Sequence, residues 1–133
     1  MADKVEFELV APAKLLYTGE VDMVVVPGSE GDFGVLPGHS PVISLVRPGV
    51  IAIHQDGKVD SRIFVAGGFA EVTQTRCTVL AEEAVPVSEI DRAKAEGRLT
   101  AARTRLGEAG TEAEKAAAQR EIGIAEALVA AAG

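Results

Sequence analysis

The chain has 133 residues, enough for one domain or for one small domain with an appendage. Its formal charge of −7 speaks against nucleic acid or an anionic membrane surface as a partner, because neutralising phosphates requires concentrated Lys and Arg. Aromatic residues are 4% against 47% hydrophobic in all, so any core is built from Val, Ile, Leu and Ala, and the single thiol, Cys77, cannot close an internal disulfide.

Met1-Ala2-Asp3-Lys4 opens directly into alternation without an apolar secretory core, so no signal peptide or transit segment is expected. Val5, Phe7 and Leu9 alternate with Lys4, Glu6 and Glu8, the pattern of a strand with one wet face, and Pro12 ends it. Leu15 to Tyr17 and Val21 to Val26 read as further strands, the second rich in β-branched residues. Pro27 to Pro41, P-G-S-E-G-D-F-G-V-L-P-G-H-S-P, holds four glycines and three prolines and reads as a rigid, shaped loop. Its glycines match neither G-x-x-x-x-G-K-[ST] nor G-x-G-x-x-G, and a phosphate there would meet Glu30 and Asp32. His39 has no carboxylate or cysteine at ligand spacing, so the stretch reads as architectural or as a protein contact.

Val42 to Val46 is a short apolar strand stopped by Pro48-Gly49. Val50 to His54 and Val59 to Ala66 are joined through Asp56-Gly57, the strongest hairpin signal in the chain. Gly67-Gly68 breaks the pattern before Phe69 to Thr73, and Cys77 to Glu82 follows, with Cys77 read as a small packing residue. About eight to ten short strands at regular spacing predict an antiparallel β-sandwich or barrel over residues 1–86.

Three stretches together carry a resemblance: Pro27 to Pro41, G-G-F-A-E-V at 67–72 and T-V-L-A-E-E-A at 78–84, with Leu45 to Gly49 in register between them. In order and spacing the chain resembles the epsilon-subunit family of F-type ATP synthases across nearly all of its β portion.

After Pro86 the period becomes helical, and residues 87–133 read as an antiparallel two-helix hairpin. Ser88 with Asp91 predicts a capping box for a helix from about Glu89 to Leu106, ended by Gly107 to Gly110. Thr111 with Glu114 predicts a second box and a helix to about Ala131. Ile90, Leu99, Leu106, Ile122, Ile124, Leu128 and Val129 are its only large apolar residues, and Gly97 and Gly123 weaken the helices, so the hairpin should depend on docking and be able to let go. The run from Ile122 to Ala132 is too short to span a bilayer and carries Glu126.

The resemblance implies a β-sandwich that binds the gamma subunit and the membrane ring of c subunits, and two helices that fold against it or extend toward the beta and alpha subunits to impede ATP hydrolysis. It implies a proton-translocating rotor complex and a peripheral place on the cytoplasmic face of a bacterial inner membrane. It lays the ring-facing loop on Ser29, Glu30, Gly31 and Asp32, and the gamma-facing surface on His39, Ser40, Gly67 and Gly68. For all eight, turn chemistry alone is an alternative.

On the first helix Arg92, Lys94, Arg98, Arg103 and Arg105 stand against Glu89, Asp91 and Glu96, five against three, an excess of two positive charges. The resemblance implies that basic residues there, Arg98, Arg103 and Arg105 among them, face an acidic loop of the beta subunit; a solvated face is the alternative. Some members of the family bind ATP through I/L-D-x-x-R-A with further arginines. Here the segment is Ile90-Asp91-Arg92-Ala93-Lys94-Ala95: Asp91 is kept, Lys94 replaces the arginine, and Ala101 stands at the next arginine position. A lysine cannot make the planar paired contacts of arginine, so weak or absent ATP binding is expected and no cofactor is assigned. The resemblance implies a non-catalytic subunit, and from two histidines and one cysteine no Ser, His and acid set can be assembled. Two rivals stay open: a ligand-binding or jelly-roll enzyme domain using His39 and His54, and a free-standing nucleotide sensor.

Overall fold

The computed structural model describes residues 4–12 and 14–133, so the opening residues read above for a leader lie outside it. The described residues form ten strands and two helices in two compact units, Met1–Val87 and Ser88–Gly133.

In the first unit the strands are β1 (Val5–Ala11), β2 (Lys14–Val21), β3 (Met23–Gly28), β4 (Gly31–Val35), β5 (Val42–Val46), β6 (Gly49–Gln55), β7 (Lys58–Val65), β8 (Gly68–Val72), β9 (Arg76–Ala81) and β10 (Ala84–Pro86). One layer is ordered β4-β3-β6-β7-β10 and the other β5-β8-β9-β1-β2, all neighbours antiparallel except β1 beside β9. The layers meet where Gly28 of β3 pairs with Val46 of β5. They meet again where β2 passes into β3, as Gln55 Nε2 donates to the Glu20 carbonyl at 2.9 Å and the Asp22 N–H to the His54 carbonyl at 3.1 Å. There Lys4 pairs with Asp22 at 2.6 Å, which raises the Lys4 pKa and lowers that of Asp22.

Alternation places the core. Val5, Phe7 and Leu9 of β1, Val24 and Val26 of β3, Ile51 and Ile53 of β6 and Val79 of β9 are all buried between the layers. Val, Ile and Leu side chains make up most of this core, and the Phe7 ring within it lies against that of Tyr17, at 5.6 Å between centroids. The Asp56-Gly57 turn forms as expected, with both residues at positive φ, +53° and +79°, between Gln55 and Lys58.

Two expectations for this unit are corrected. Val21 to Val26 is not one strand, for Val21 ends β2 and β3 begins at Met23. Pro27 to Pro41 is not one loop: Pro27-Gly28 closes β3, Ser29-Glu30 is a tight turn, and β4 returns through Asp32 and Phe33. The glycines there allow close backbone approach within a hairpin, since a Cβ on Gly28 would lie 2.8 Å from the Gly31 carbonyl oxygen. The sequence also conceals β10, a three-residue edge on β7 that hydrogen bonding to Ile63–Val65 makes a strand.

The second unit is a helical hairpin of α1 (Arg92–Glu108) packed on α2 (Glu112–Ala132). The expected Ser88–Asp91 capping box is absent: Ser88 lies in a 3-10 turn, Val87–Glu89, and Asp91 is itself the N-cap, its Oδ1 accepting from the Lys94 N–H at 3.1 Å. A short carboxylate competes for free backbone donors and so takes the boundary position rather than one inside the first turn. Gly107 does not stop α1, because it keeps helical backbone and the end falls at Ala109. Thr111 and Glu114 do form their reciprocal box, each bond 3.1 Å. The close-packed positions are mostly small, Ala95, Ala102, Ala118 and Ala125, with Ile124 and Leu128 the large buried residues.

Candidate interaction surfaces

The first surface is the β3–β4 turn. Ser29 and Glu30 form its apex and Gly31 and Asp32 begin β4, so the four residues read as ring-facing are contiguous and exposed. The turn is tied down from β5. The Ser29 N–H donates to the Leu45 carbonyl at 2.9 Å, the Arg47 N–H to the Pro27 carbonyl at 2.9 Å, and the Arg47 guanidinium to both the Gly28 carbonyl and Asp32. Glu30 has no hydrogen-bond or ion-pair partner among the described residues and is exposed.

The second surface is the outer face of the layer that holds β5. Cross-strand registers align Leu45 with Phe69, Phe69 with Leu80, Leu80 with Val10 and Val10 with Leu15, one apolar row over five strands. Leu45 is 68% exposed, Leu15 53%, Phe69 44% and Leu80 41%, and Ile43 stands beside the row at 72%. Large side chains in such a line on solvent-facing strands mark an interaction site rather than scattered surface hydrophobics. The next row, which Ile43 begins on β5, continues through Glu71, Thr78, Glu8 and Thr18 and is polar beyond it.

His39 and Ser40 lie between β4 and β5. Gly38 adopts φ +84° in the turn that brings the His39 N–H to the Leu36 carbonyl at 3.2 Å. His39 Nδ1 donates to the Ser40 carbonyl at 2.6 Å, its ring lies 6.4 Å from that of Phe33, and both border a shallow apolar hollow with Pro41 and Val42. Gly67 is buried and Gly68 half-buried. Their role is in the backbone: both have φ near +127°, and a Cβ on Gly68 would fall 2.0 Å from the Leu80 carbonyl oxygen. They let β8 leave Ala66 and settle against β9, which sets Phe69 outside and Ala70 inside.

The third surface is α1. Arg98 is half-buried in an ion pair with Glu121 of α2, Arg103 reaches Glu126 at 3.7 Å, and Arg92 is engaged by Glu96 at 2.9 Å. Only Lys94 and Arg105 of the basic set are exposed without a partner among the described residues. Asp91 spends its carboxylate on the helix cap, so the ATP-motif remnant Asp91 and Lys94 are joined through the Lys94 backbone rather than presented together. His54 sits on β6 opposite Met23, in a different segment from His39. No helix among the described residues is long and apolar enough to cross a membrane.

Sequence reasoning missed the apolar row because its members alternate with core residues on strands that read as half-buried. The signal was present: Leu45, Phe69 and Leu80 occupy the off-phase positions of their strands, where polar residues are the rule.

Residues 4–87 match the family described as ATP synthase, Delta/Epsilon chain, beta-sandwich domain. The chain is 59% identical over 131 residues to the ATP synthase epsilon chain of Paramagnetospirillum magneticum, covering 98% of each. It is 57% identical, with the same coverage, to the ATP synthase epsilon chain of Rhodospirillum rubrum. Among solved structures, a chain of the Euglena gracilis mitochondrial ATP synthase, determined with OSCP, F1 and c-ring, superposes with a TM-score of 0.83 at 28% identity, covering 98% of this chain and 82% of that one. A chain from the central stalk and c-ring of the Tetrahymena thermophila mitochondrial ATP synthase shares the fold, with a TM-score of 0.68 at 17% identity.

Proposed function

As the chain belongs to the ATP synthase epsilon-chain family, we propose that it is a non-catalytic central-stalk subunit of the proton-translocating F-type ATP synthase, linking the gamma subunit to the c-ring. Identity of 57% and 59% to epsilon chains over 98% of the chain carries this reading, and the two surfaces of the first unit give it a physical basis. An apolar row of Leu45, Phe69, Leu80, Val10 and Leu15 suits a lasting contact with a partner that turns with it, the gamma subunit. His39 and Ser40 border the Phe33 hollow with Val42 and Ser44, on the other face of β5 from the row, and would form a separate contact, while Gly67-Gly68 shapes the row through the backbone. A small polar turn, Ser29 to Asp32, suits the loops of the ring.

The helical hairpin is the regulatory part in this reading, able to restrain ATP hydrolysis by reaching the beta and alpha subunits. Thin alanine packing makes its closed form separable, and the cross-helix ion pairs Arg98–Glu121 and Arg103–Glu126 are what separation must break. Arg105 is then available to an acidic loop of the beta subunit, and Arg98 and Arg103 only after they leave Glu121 and Glu126. With Asp91 used as a cap and lysine at position 94, ATP binding on the hairpin is weak or absent. The subunit is peripheral to the membrane, held through the complex on the cytoplasmic face.

Affinity purification of the tagged full chain from detergent-solubilised membranes tests this. Recovery of gamma, beta and c subunits together is the expected result, and recovery of the chain free of gamma would overturn it.

A further inference from the structure

We propose that Arg47 is the positioning residue of the β3–β4 turn, fixing the frame that carries Glu30 toward the partner; this rests on the ring-facing reading of that turn. Arg47 sits just past the end of β5, in the other layer of the sandwich. Its backbone N–H donates to the Pro27 carbonyl at 2.9 Å, Nη1 donates to the Gly28 carbonyl, and Nη2 reaches Asp32 Oδ1 at 2.5 Å. One residue therefore holds the incoming arm of the hairpin by two carbonyls and the outgoing arm by a carboxylate. A planar fork with separate N–H groups can bridge the two arms, which a lysine ammonium cannot do in the same geometry.

The pair is open to water, with side-chain exposures of 42% for Arg47 and 61% for Asp32, so it adds little to stability and its consequence is the shape of the turn. Its charge consequence is as direct. Asp32 is neutralised within the chain, whereas Glu30, at the apex, meets no cation among the described residues. The turn thus offers one unmatched negative charge on a fixed frame. Partner groups of complementary chemistry are basic side chains or hydrogen-bond donors on a short polar loop.

The test re-adds full-length variants to membrane-embedded ATP synthase depleted of this chain. It reads the concentration restoring half-maximal ATP-driven proton pumping, with gamma binding and Tm measured alongside. Arg47→Ala, Arg47→Lys and Asp32→Asn are each expected to raise that concentration about five- to tenfold. The Arg47→Ala/Asp32→Asn double variant is expected to be no worse than Arg47→Ala, because both remove one interaction. Glu30→Gln should cost a similar factor, and adding Arg47→Ala to it should cost little more, because Arg47 acts through the placement of Glu30, while gamma binding and Tm stay unchanged.

Wild-type behaviour of Arg47→Lys, or multiplicative effects of Arg47→Ala and Asp32→Asn, would overturn the positioning role. A silent Glu30→Gln would overturn the assignment of the free carboxylate. Should Arg47→Ala lower Tm by more than a few degrees, Arg47→Lys, which keeps the charge and the stem, decides the matter. Wild-type pumping by Glu30→Lys and Asp32→Lys together would instead remove the ring-facing reading, an outcome distinct from failure of Arg47 alone.

Discussion

Leu45 and Phe69 are direct cross-strand partners on β5 and β8, and both side chains point to water rather than into the sandwich. Their inward neighbours on the same pair, Val46 and Ala70, are buried, so the sheet could have been capped with polar residues at no loss to its core. In the reading proposed above, these side chains serve contact with the gamma subunit. Leu45→Asp and Phe69→Ser should each leave Tm within a few degrees of wild type and weaken gamma binding about tenfold or more, as truncation of a buried interface anchor does. Titration calorimetry against purified gamma subunit with parallel thermal melts checks this; unchanged affinity would place the gamma contact elsewhere.

Gly68 is the position where backbone shape is least negotiable. With φ at +127° and the Leu80 carbonyl oxygen 2.0 Å from where a Cβ would stand, Gly68→Ala forces β8 off β9. The expected loss is about 3 kcal/mol or more, measured by urea unfolding. Gly34→Ala, whose nearest neighbour would be the flexible Met23 sulfur at 3.4 Å, should cost far less.

The helices carry two glycines of the opposite kind. Gly97 and Gly123 lie inside α1 and α2, exposed, and a Cβ added at either would meet nothing within 4 Å. Gly97→Ala and Gly123→Ala should each stabilise helical structure by about 0.5–1 kcal/mol, seen as slower amide exchange in the second unit. If the hairpin must rearrange to restrain hydrolysis, the double variant should also alter the extent of restraint.

Cys77 makes stability pH-dependent on the alkaline side. Burial pushes its thiol up to about 12, while in the unfolded chain it ionises near ~8.5. Between those values the unfolded state holds fewer protons than the folded one, so stability falls with rising pH, by about 1.4 kcal/mol per pH unit for this group alone. Below pH 8 both states are protonated and the group is silent. Urea unfolding of Cys77→Ala and wild type at pH 8 and pH 10 should show a shallower fall for the variant, and native Cys77 should resist thiol reagents.

The strands of the sandwich were legible because their periods are strict: Val5, Phe7 and Leu9 could face only one way, and Asp56-Gly57 could be little else than a two-residue turn. The hairpin at Ser29-Glu30 was hidden because glycine and proline read as loop signals, whereas Gly28 sits in a ladder whose close approach needs the missing Cβ. Asp91 as cap could not be separated from Ser88 as cap by spacing alone, since both precede good helix formers. Among site residues, the exposure of Ser29 to Asp32 followed from their polarity, but the tie from Arg47 across 15 residues to Asp32 is tertiary and left no local mark. The engagement of Arg98 by Glu121 is of the same kind: charge counting finds a basic helix and cannot find which charges are already answered.

Adding the full chain, or a chain ending at Val87, back to a catalytic head stripped of this subunit tests most directly the claim that the first unit anchors and the second restrains. The shortened chain keeps every residue of the sandwich core, so it retains the folded β unit. Both forms are predicted to bind gamma, and only the full chain is predicted to slow ATP hydrolysis. Equal hydrolysis rates with both forms bound would contradict the regulatory role of the helices, and failure of either form to bind gamma would contradict the anchoring role of the β-sandwich.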